Sequence, residues 1–290
     1  MNNMILFRDR AANILFDVLS TIDRNIKFLL PINICPIVPD TFLRSDIKFE
    51  FIDIDLKTLC MDEGLAIKAI NKDSSIGGLL FVNTYGVKID SESFYKKIKN
   101  INPEIFIIDD KCLCVQNFDF DISKSAASLT LFSSGYAKYV DIGYGGFGYL
   151  KVENFGKIFE DNSTDKDFID YKARLTKQIP LMEKHKTKLN RIYREGIPPY
   201  LHLGEEFEDW RFSILIDDKE DLLKDIFKDG LFASSHYAAI DHKYVKHPMT
   251  KSNASIVASR IVNLFNDHRF DENMAKRVVT IINKFNNNYA

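Results

Sequence analysis

Ile105-Phe106-Ile107-Ile108-Asp109-Asp110, then Leu129-Thr130-Leu131-Phe132-Ser133-Ser134-Gly135-Tyr136-Ala137-Lys138, then Gly143-Tyr144-Gly145-Gly146-Phe147-Gly148 are three pieces of the stretch that decides the fold. Two apolar runs of strand length are each followed at once by polar residues. Runs of four or five apolar residues, without polar alternation, predict strands buried on both faces. A carboxylate, a serine, a lysine and glycines placed just after such strands read as parts of one site, with Lys138 its most informative member.

Outward from that stretch the same unit recurs. An amphipathic helix is expected over residues 9–22, with Asp9 as its N-cap. Strands are expected at 28–31, 48–53, 78–82 and 105–108, and helices near 39–44, 65–70 and 90–101, the last opening at Asp90. Strands alternating with helices predict a three-layer α/β/α domain with a mostly parallel sheet. After Gly148 a returning strand is read at Tyr149-Leu150-Lys151-Val152, a polar loop over 160–166, and a charged helix over 168–193 interrupted by Pro180. Pro198-Pro199 marks a boundary. Beyond it come a strand at 210–216 and helices at 219–228, 255–265 and 272–285. The expected organisation is a large domain over 1–196 and a smaller C-terminal α+β domain over 197–290.

Composition bounds the function. The 290 residues are 46% hydrophobic and 28% charged with a formal net charge of −2, which gives no basic footprint for nucleic acid. No apolar stretch reaches the ~20 residues of a membrane span, and the amino terminus has too short an apolar run for a signal peptide. Cys35, Cys60, Cys112 and Cys114 form no CxxC pair, so no metal site is expected and a reduced, cytoplasmic compartment is the simplest reading. His185, His202, His242, His247 and His268 read as surface residues, and Trp210 as packing between domains.

In an open α/β sheet, ligands bind beyond the carboxyl ends of the strands, where Asp53, Asn83, Asp110 and Ser133 would gather. Singly each reads as a helix cap or turn residue. Together with Lys138 they read as a site. The glycines lie mid-chain and precede a strand, so they fit neither a dinucleotide fingerprint nor a phosphate loop and read as a turn. A lysine after a buried strand, with a carboxylate on the strand before it, suits pyridoxal phosphate among other candidates. That cofactor takes a Schiff-base lysine and an acidic partner for its ring nitrogen.

Ile107-Ile108-Asp109-Asp110, Phe132-Ser133-Ser134-Gly135-Tyr136-Ala137-Lys138 and Gly143-Tyr144-Gly145-Gly146 resemble the cofactor-binding core of the DegT-type nucleotide-sugar aminotransferases, fold-type I pyridoxal-phosphate enzymes. Further likenesses are Leu30 to Pro36 with Phe51 to Asp55, Val82-Asn83-Thr84-Tyr85-Gly86, and Gly230-Leu231-Phe232 to His236-Tyr237. The resemblance implies that Lys138 bonds the cofactor and shuttles a proton between Cα and C4′. It implies Asp110 at the ring nitrogen, and Ser133, Arg10 and Ala11 at the phosphate. Cys35 falls near the position of the ring-stacking aromatic, and His236 and Tyr237 come from a segment that reaches back to the substrate. It further implies transfer of an amino group from an amino acid to a nucleotide-linked keto sugar in polysaccharide or amino-sugar biosynthesis, by a homodimer.

The departures are equally specific. The family's S-G-[TS]-A turn falls at Arg8-Asp9-Arg10-Ala11, its glutamine three after the aspartate is Leu113, and its V-H-x-[YF]-G histidine is Asn83. Set against the family, the chain is expected to be a short member, lacking an N-terminal segment and the asparagine loop. Different chemistry on the same cofactor, and a non-catalytic homologue with a structural or regulatory role, are the alternatives.

Overall fold

In the computed structural model, which describes residues 3–151 and 159–289, the chain folds around two sheets. The larger has seven strands: β1 (Asn3–Arg8), β2 (Lys27–Pro31), β3 (Lys48–Ile52), β4 (Ile76–Val82), β5 (Phe106–Asp110), β6 (Leu129–Ser133) and β7 (Gly146–Lys151), in the order β1-β7-β6-β5-β4-β2-β3. From β3 to β6 all neighbours are parallel, and β7 runs antiparallel to both β6 and β1. The mostly parallel α/β sheet expected from the apolar runs is what forms.

Side chains alternate across the sheet with period two and enter two different cores. On one face Leu6, Leu129, Leu131 and Leu150 join a core with Ile14, Leu15 and Val18 of α1 (Ala11–Leu19). On the other, Phe132, Phe147 and Tyr149 pack against Phe168, Tyr171 and Leu175 of α5 (Lys166–Gly196). Covered faces on both sides make three layers, and each buried aromatic or leucine contributes about 1.5–3 kcal/mol. Helices α2 (Ile37–Arg44), α3 (Glu63–Lys72) and α4 (Glu92–Ile101) connect the parallel strands. The edge strand β1 is not left open. The outward amides of Ile5 and Phe7 donate to the Asp161 and Asn162 side chains at 2.9 Å, which blunts the edge against pairing with another chain.

The smaller sheet, β8 (Phe212–Leu215), β10 (Ile261–Leu264) and β9 (Ala233–Ser234), is antiparallel. It packs with α6 (Lys219–Lys228), α8 (Glu272–Tyr289) and the end of α5, whose Leu189 and Tyr193 are fully buried there. The cores also cross position 197 the other way: Phe207, Trp210 and Ile240 belong to the core of the large sheet.

Four expectations are corrected. Residues 255–265 are not one helix: α7 (Asn253–Arg260) stops and Ile261 to Leu264 become the central, fully buried strand of the small sheet. Pairing on both sides overrides a periodicity that suits either state. Pro180 does not interrupt α5, because it sits on an exposed face where water can satisfy the Thr176 carbonyl that loses its donor. Asp9 does not cap α1; Arg10 holds that position with extended backbone and no side-chain cap. The glycines are only half a turn, since Gly146 and Gly148 lie within β7. Val152, read as part of that strand, lies outside the described residues.

Candidate active site

Val82, Asp110 and Leu131 stand side by side in register at the carboxyl ends of β4, β5 and β6. They floor a cavity of about 420 Å³ that is closed by the N-termini of α1 and α2, within the ~300–1,000 Å³ of small-molecule sites. Lys138, Asp110, Ser133, Arg10, Ala11, Cys35 and Tyr237 all line it. His236 is not among the lining residues; its ring meets Trp210 edge-on at 5.9 Å. Burial, then Arg211 and Lys138, lowers its pKa. Asn33, Cys112 and Tyr136 also line the cavity, and the rest of the wall is apolar, with Leu15, Ile34, Val38, Val82 and Leu113.

The two carboxylates that close β5 do different work because successive residues point to opposite faces. Asp109 turns away from the cavity, where it accepts from Asn83 Nδ2 at 2.8 Å and Tyr95 OH at 2.9 Å and pairs with Lys111 at 3.3 Å. Burial pushes its pKa up, against the pull of Lys111, Tyr95 and Asn83. Asp110 faces the cavity, with one oxygen oriented by the Cys112 amide at 2.9 Å. Of the four residues expected at this edge, then, two line the cavity. Asn83 serves Asp109, and Asp53 accepts from the amides of Asn253 and Ala254 at the start of α7.

The same cavity holds a cradle of donors. A Cβ added to Gly135 would stand 3.7 Å from both Arg10 Nη1 and Ser133 Oγ, so a guanidinium and a hydroxyl converge beside one open position, and the uncapped N-terminus of α1 lines the same cavity. A helix N-terminus with free amides and a cation is suited to an anion. Gly146 makes the approach possible. A Cβ there would lie 2.2 Å from the Ala11 amide nitrogen, so only glycine lets α1 begin this close to β7.

Lys138 follows a constrained turn. Ala137 has φ +57°, left-handed backbone that costs an alanine about 1–2 kcal/mol. The turn is held from both sides: the Ala137 amide donates to Asp141 Oδ2 at 2.8 Å, and its carbonyl accepts from Trp210 Nε1 at 2.6 Å. Trp210 lies within a group of three near-parallel rings with Tyr85 and Tyr237, all centroids 6.0–6.2 Å apart. Tyr85 OH donates to the His236 carbonyl at 2.5 Å and accepts from the Tyr237 amide at 3.1 Å. The sequence marked Trp210 as a packing residue only. Its link to Ala137 joins residues 73 positions apart, and no local signal announces such a contact. A local signal that could have pointed to this turn is Asp141-Ile142-Gly143, in which Asp141 also accepts from the Gly143 amide at 2.9 Å.

Burial raises the thiol pKa of Cys112 and the phenol pKa of Tyr237, and both stand near Asp110. They therefore present protonated, neutral groups to the cavity at neutral pH. Leu113 brings no polar atom to it. Gln116, three residues further on, turns its amide to the Ser133 carbonyl at 2.6 Å.

No protein-family model and no curated protein matches the sequence. Solved structures do match the fold. PseC of Helicobacter pylori, an aminotransferase of pseudaminic acid biosynthesis, superposes with a TM-score of 0.77 at 15% identity, covering 97% of this chain and 86% of its own. The aminotransferase TlmJ of Streptoalloteichus hindustanus gives 0.79 at 11% identity over 99% and 87%. A DegT DnrJ EryC1 StrS aminotransferase of Brucella abortus gives 0.73 at 16% identity over 98% and 86%. At such identities the likeness speaks for architecture, and on that ground the chain has the α/β fold of the DegT-type aminotransferases.

Proposed function

We propose that the cavity binds pyridoxal 5′-phosphate and that the protein is an aminotransferase acting on a keto sugar. The observation that carries the reading is that Lys138, Asp110 and the Arg10–Ser133–Gly135 cradle all line one largely apolar cavity. The residues fit the group: an anion cradle for a phosphate, a carboxylate for a ring nitrogen and an amine line one cavity.

When bound, the cofactor supplies an electron sink for the carbon that loses its proton. Everything else falls to the chain. Asp110 holds a proton on the ring nitrogen. Ser133, Arg10 and the first amides of α1, from Ala11 on, hold the phosphate. Cys35, which lines the cavity, would contact the ring where the family has an aromatic. Lys138 would hold the cofactor through its amine and would carry the proton between the substrate carbon and the cofactor. Tyr237, kept protonated by burial, donates a hydrogen bond toward the substrate, with His236 behind it.

The finer points of the reading are an amino-acid donor, a nucleotide-linked sugar acceptor, a role in polysaccharide or amino-sugar biosynthesis, a homodimer, a cytoplasmic location and a division at 196/197. PseC is named for pseudaminic acid biosynthesis, which supports a sugar substrate here. Among the described residues no helix is long and apolar enough to cross a membrane, and no cluster of His, Cys, Asp or Glu could hold a metal ion. One observation favours a second reading, different chemistry on the same cofactor: Leu113 lines the cavity where the family's glutamine would reach the cofactor's phenolic oxygen. Glutamate added to the cofactor-loaded protein separates the two. Conversion of the lysine-bound band to that of pyridoxamine phosphate supports transamination; an unchanged band with every amino acid tried refutes it.

A further inference from the structure

Lys186 and Arg211 are the two most deeply buried cations among the described residues, and the site uses neither. Lys186 leaves α5 at 3% exposure, and its Nζ donates to the Trp210 carbonyl at 2.7 Å and to Asn266 Oδ1 at 2.8 Å. The same nitrogen sits 5.1 Å above the centre of the Tyr139 ring. Three segments therefore meet on one ammonium: the turn that carries Lys138, the residues before β8, and those after β10.

The contacts form a chain. Lys186 fixes the Trp210 backbone, the Trp210 indole fixes the Ala137 carbonyl, and Ala137 is the strained residue immediately before Lys138. A left-handed alanine persists only where its surroundings over-determine it. Tyr139, on the other side of Lys138, is held by the same ammonium through its ring face. Lys138 is thus flanked on both sides by residues whose positions depend on Lys186.

We infer that Lys186 is a positioning residue for the cofactor lysine, a buried brace that acts through Trp210 and Tyr139 to aim Lys138 into the cavity. The inference rests on the proposed role of Lys138. A brace made of a buried charge costs stability, since desolvation outruns the gain from its partners, and a hydrocarbon of equal length would pack there without that cost. The charged groups around it are Asp209 and Arg211 before β8 and Asp267 and Arg269 after β10. Burial, opposed by Asp267 and reinforced by Arg211, brings its pKa down to about 7. The brace therefore loses its charge, and with it the hold on Tyr139, as pH rises through neutrality.

Trp210 is the only tryptophan, so its fluorescence reads the brace without any cofactor. Emission of the cofactor-free protein is expected to titrate with a midpoint near pH 7 and to lose that transition in Lys186→Met. In cofactor-loaded protein, borohydride-trapped adduct on Lys138 is expected to form about tenfold more slowly in Lys186→Met, equivalent to about 1.4 kcal/mol in the barrier. The apparent pKa of the lysine-bound band should shift as well, which a purely structural role would not produce. Trp210 emission whose value and pH dependence are the same in Lys186→Met overturns the inference, and so does adduct formation at the wild-type rate. If the wild type forms no adduct, the reading of Lys138 fails, while the two emission titrations still decide whether the brace exists. Should Lys186→Met not fold, Trp210→Phe, which removes the indole hydrogen bond to the Ala137 carbonyl, takes its place, and adduct formation at the wild-type rate in that variant overturns the brace.

Discussion

Replacing Gly146 with alanine tests the link between the backbone of β7 and the anion cradle. The new Cβ would lie 2.2 Å from the Ala11 nitrogen, 2.5 Å from its Cα and 2.8 Å from the Arg10 carbonyl carbon. All three are backbone atoms, which cannot swing aside as a side-chain tip does. Ordinary contact begins at 3.4 Å, so α1 must retreat by about 1.2 Å from the 2.2 Å approach. That retreat draws the first amides of α1 and Arg10 away from the phosphate position. Losing one charge-assisted hydrogen bond costs about 1.5–3 kcal/mol, so affinity for inorganic phosphate and for pyridoxal phosphate should fall by about 10- to 100-fold. Overpacking should lower stability by about 1–3 kcal/mol or more, measured by urea denaturation. Gly143→Ala is the control: nothing lies within 4 Å of its Cβ, so it bears only the cost of a left-handed alanine, about 1–2 kcal/mol, with binding unchanged. Phosphate competition with a wild-type dissociation constant in Gly146→Ala would refute the assignment of α1 to the anion.

Lys111→Met removes the cation opposite the buried Asp109 and should cost about 3 kcal/mol at neutral pH. Because burial already raises the Asp109 pKa, the deficit should shrink as pH falls through that raised value and the carboxyl becomes neutral; denaturation at pH 7 and pH 4.5 measures it, and equal deficits would contradict it. Ala137→Gly relieves the left-handed strain and should stabilise the fold by about 1 kcal/mol while loosening the turn before Lys138; thermal melts and cofactor affinity should therefore move in opposite directions. Lys186 has a folded pKa near 7, below the ordinary 10.5. Its charge thus costs stability in full below pH 7, and the cost fades as pH rises toward 10.5. The stability difference between Lys186→Met and the wild type should shift toward the wild type between pH 6 and pH 9.5, and a constant difference would contradict the buried cation.

The parallel sheet was legible because each strand is a short apolar run and each run ends on a polar residue. Lys138, Asp110 and Ser133 were legible as a set because the strand before each fixes which end of the sheet it reaches. Gly146 was harder to read. A glycine in a glycine-rich string looks like a turn, and only the approach of α1, 135 positions earlier in the chain, shows that it is a strand residue kept small. Residues 261–264 were misread because Ile, Val, Asn and Leu after a helix continue a helical period as readily as they begin a strand, and the pairing with β8 and β9 decides. The Lys186–Trp210–Ala137 chain was illegible altogether. In sequence Lys186 is one of many cations on a charged helix, and burial alone sets it apart.

Covalent capture of pyridoxal phosphate by one amine, that of Lys138, tests the site most directly. The protein is mixed with saturating pyridoxal phosphate, reduced with borohydride, digested, and the modified peptide located by mass spectrometry. The structure predicts one modified residue, Lys138, with no adduct at the site in Lys138→Ala and a weakened, displaced absorption band in Asp110→Asn. No absorption band at saturating cofactor, or a label distributed over surface lysines with Lys138 unmodified, would contradict it.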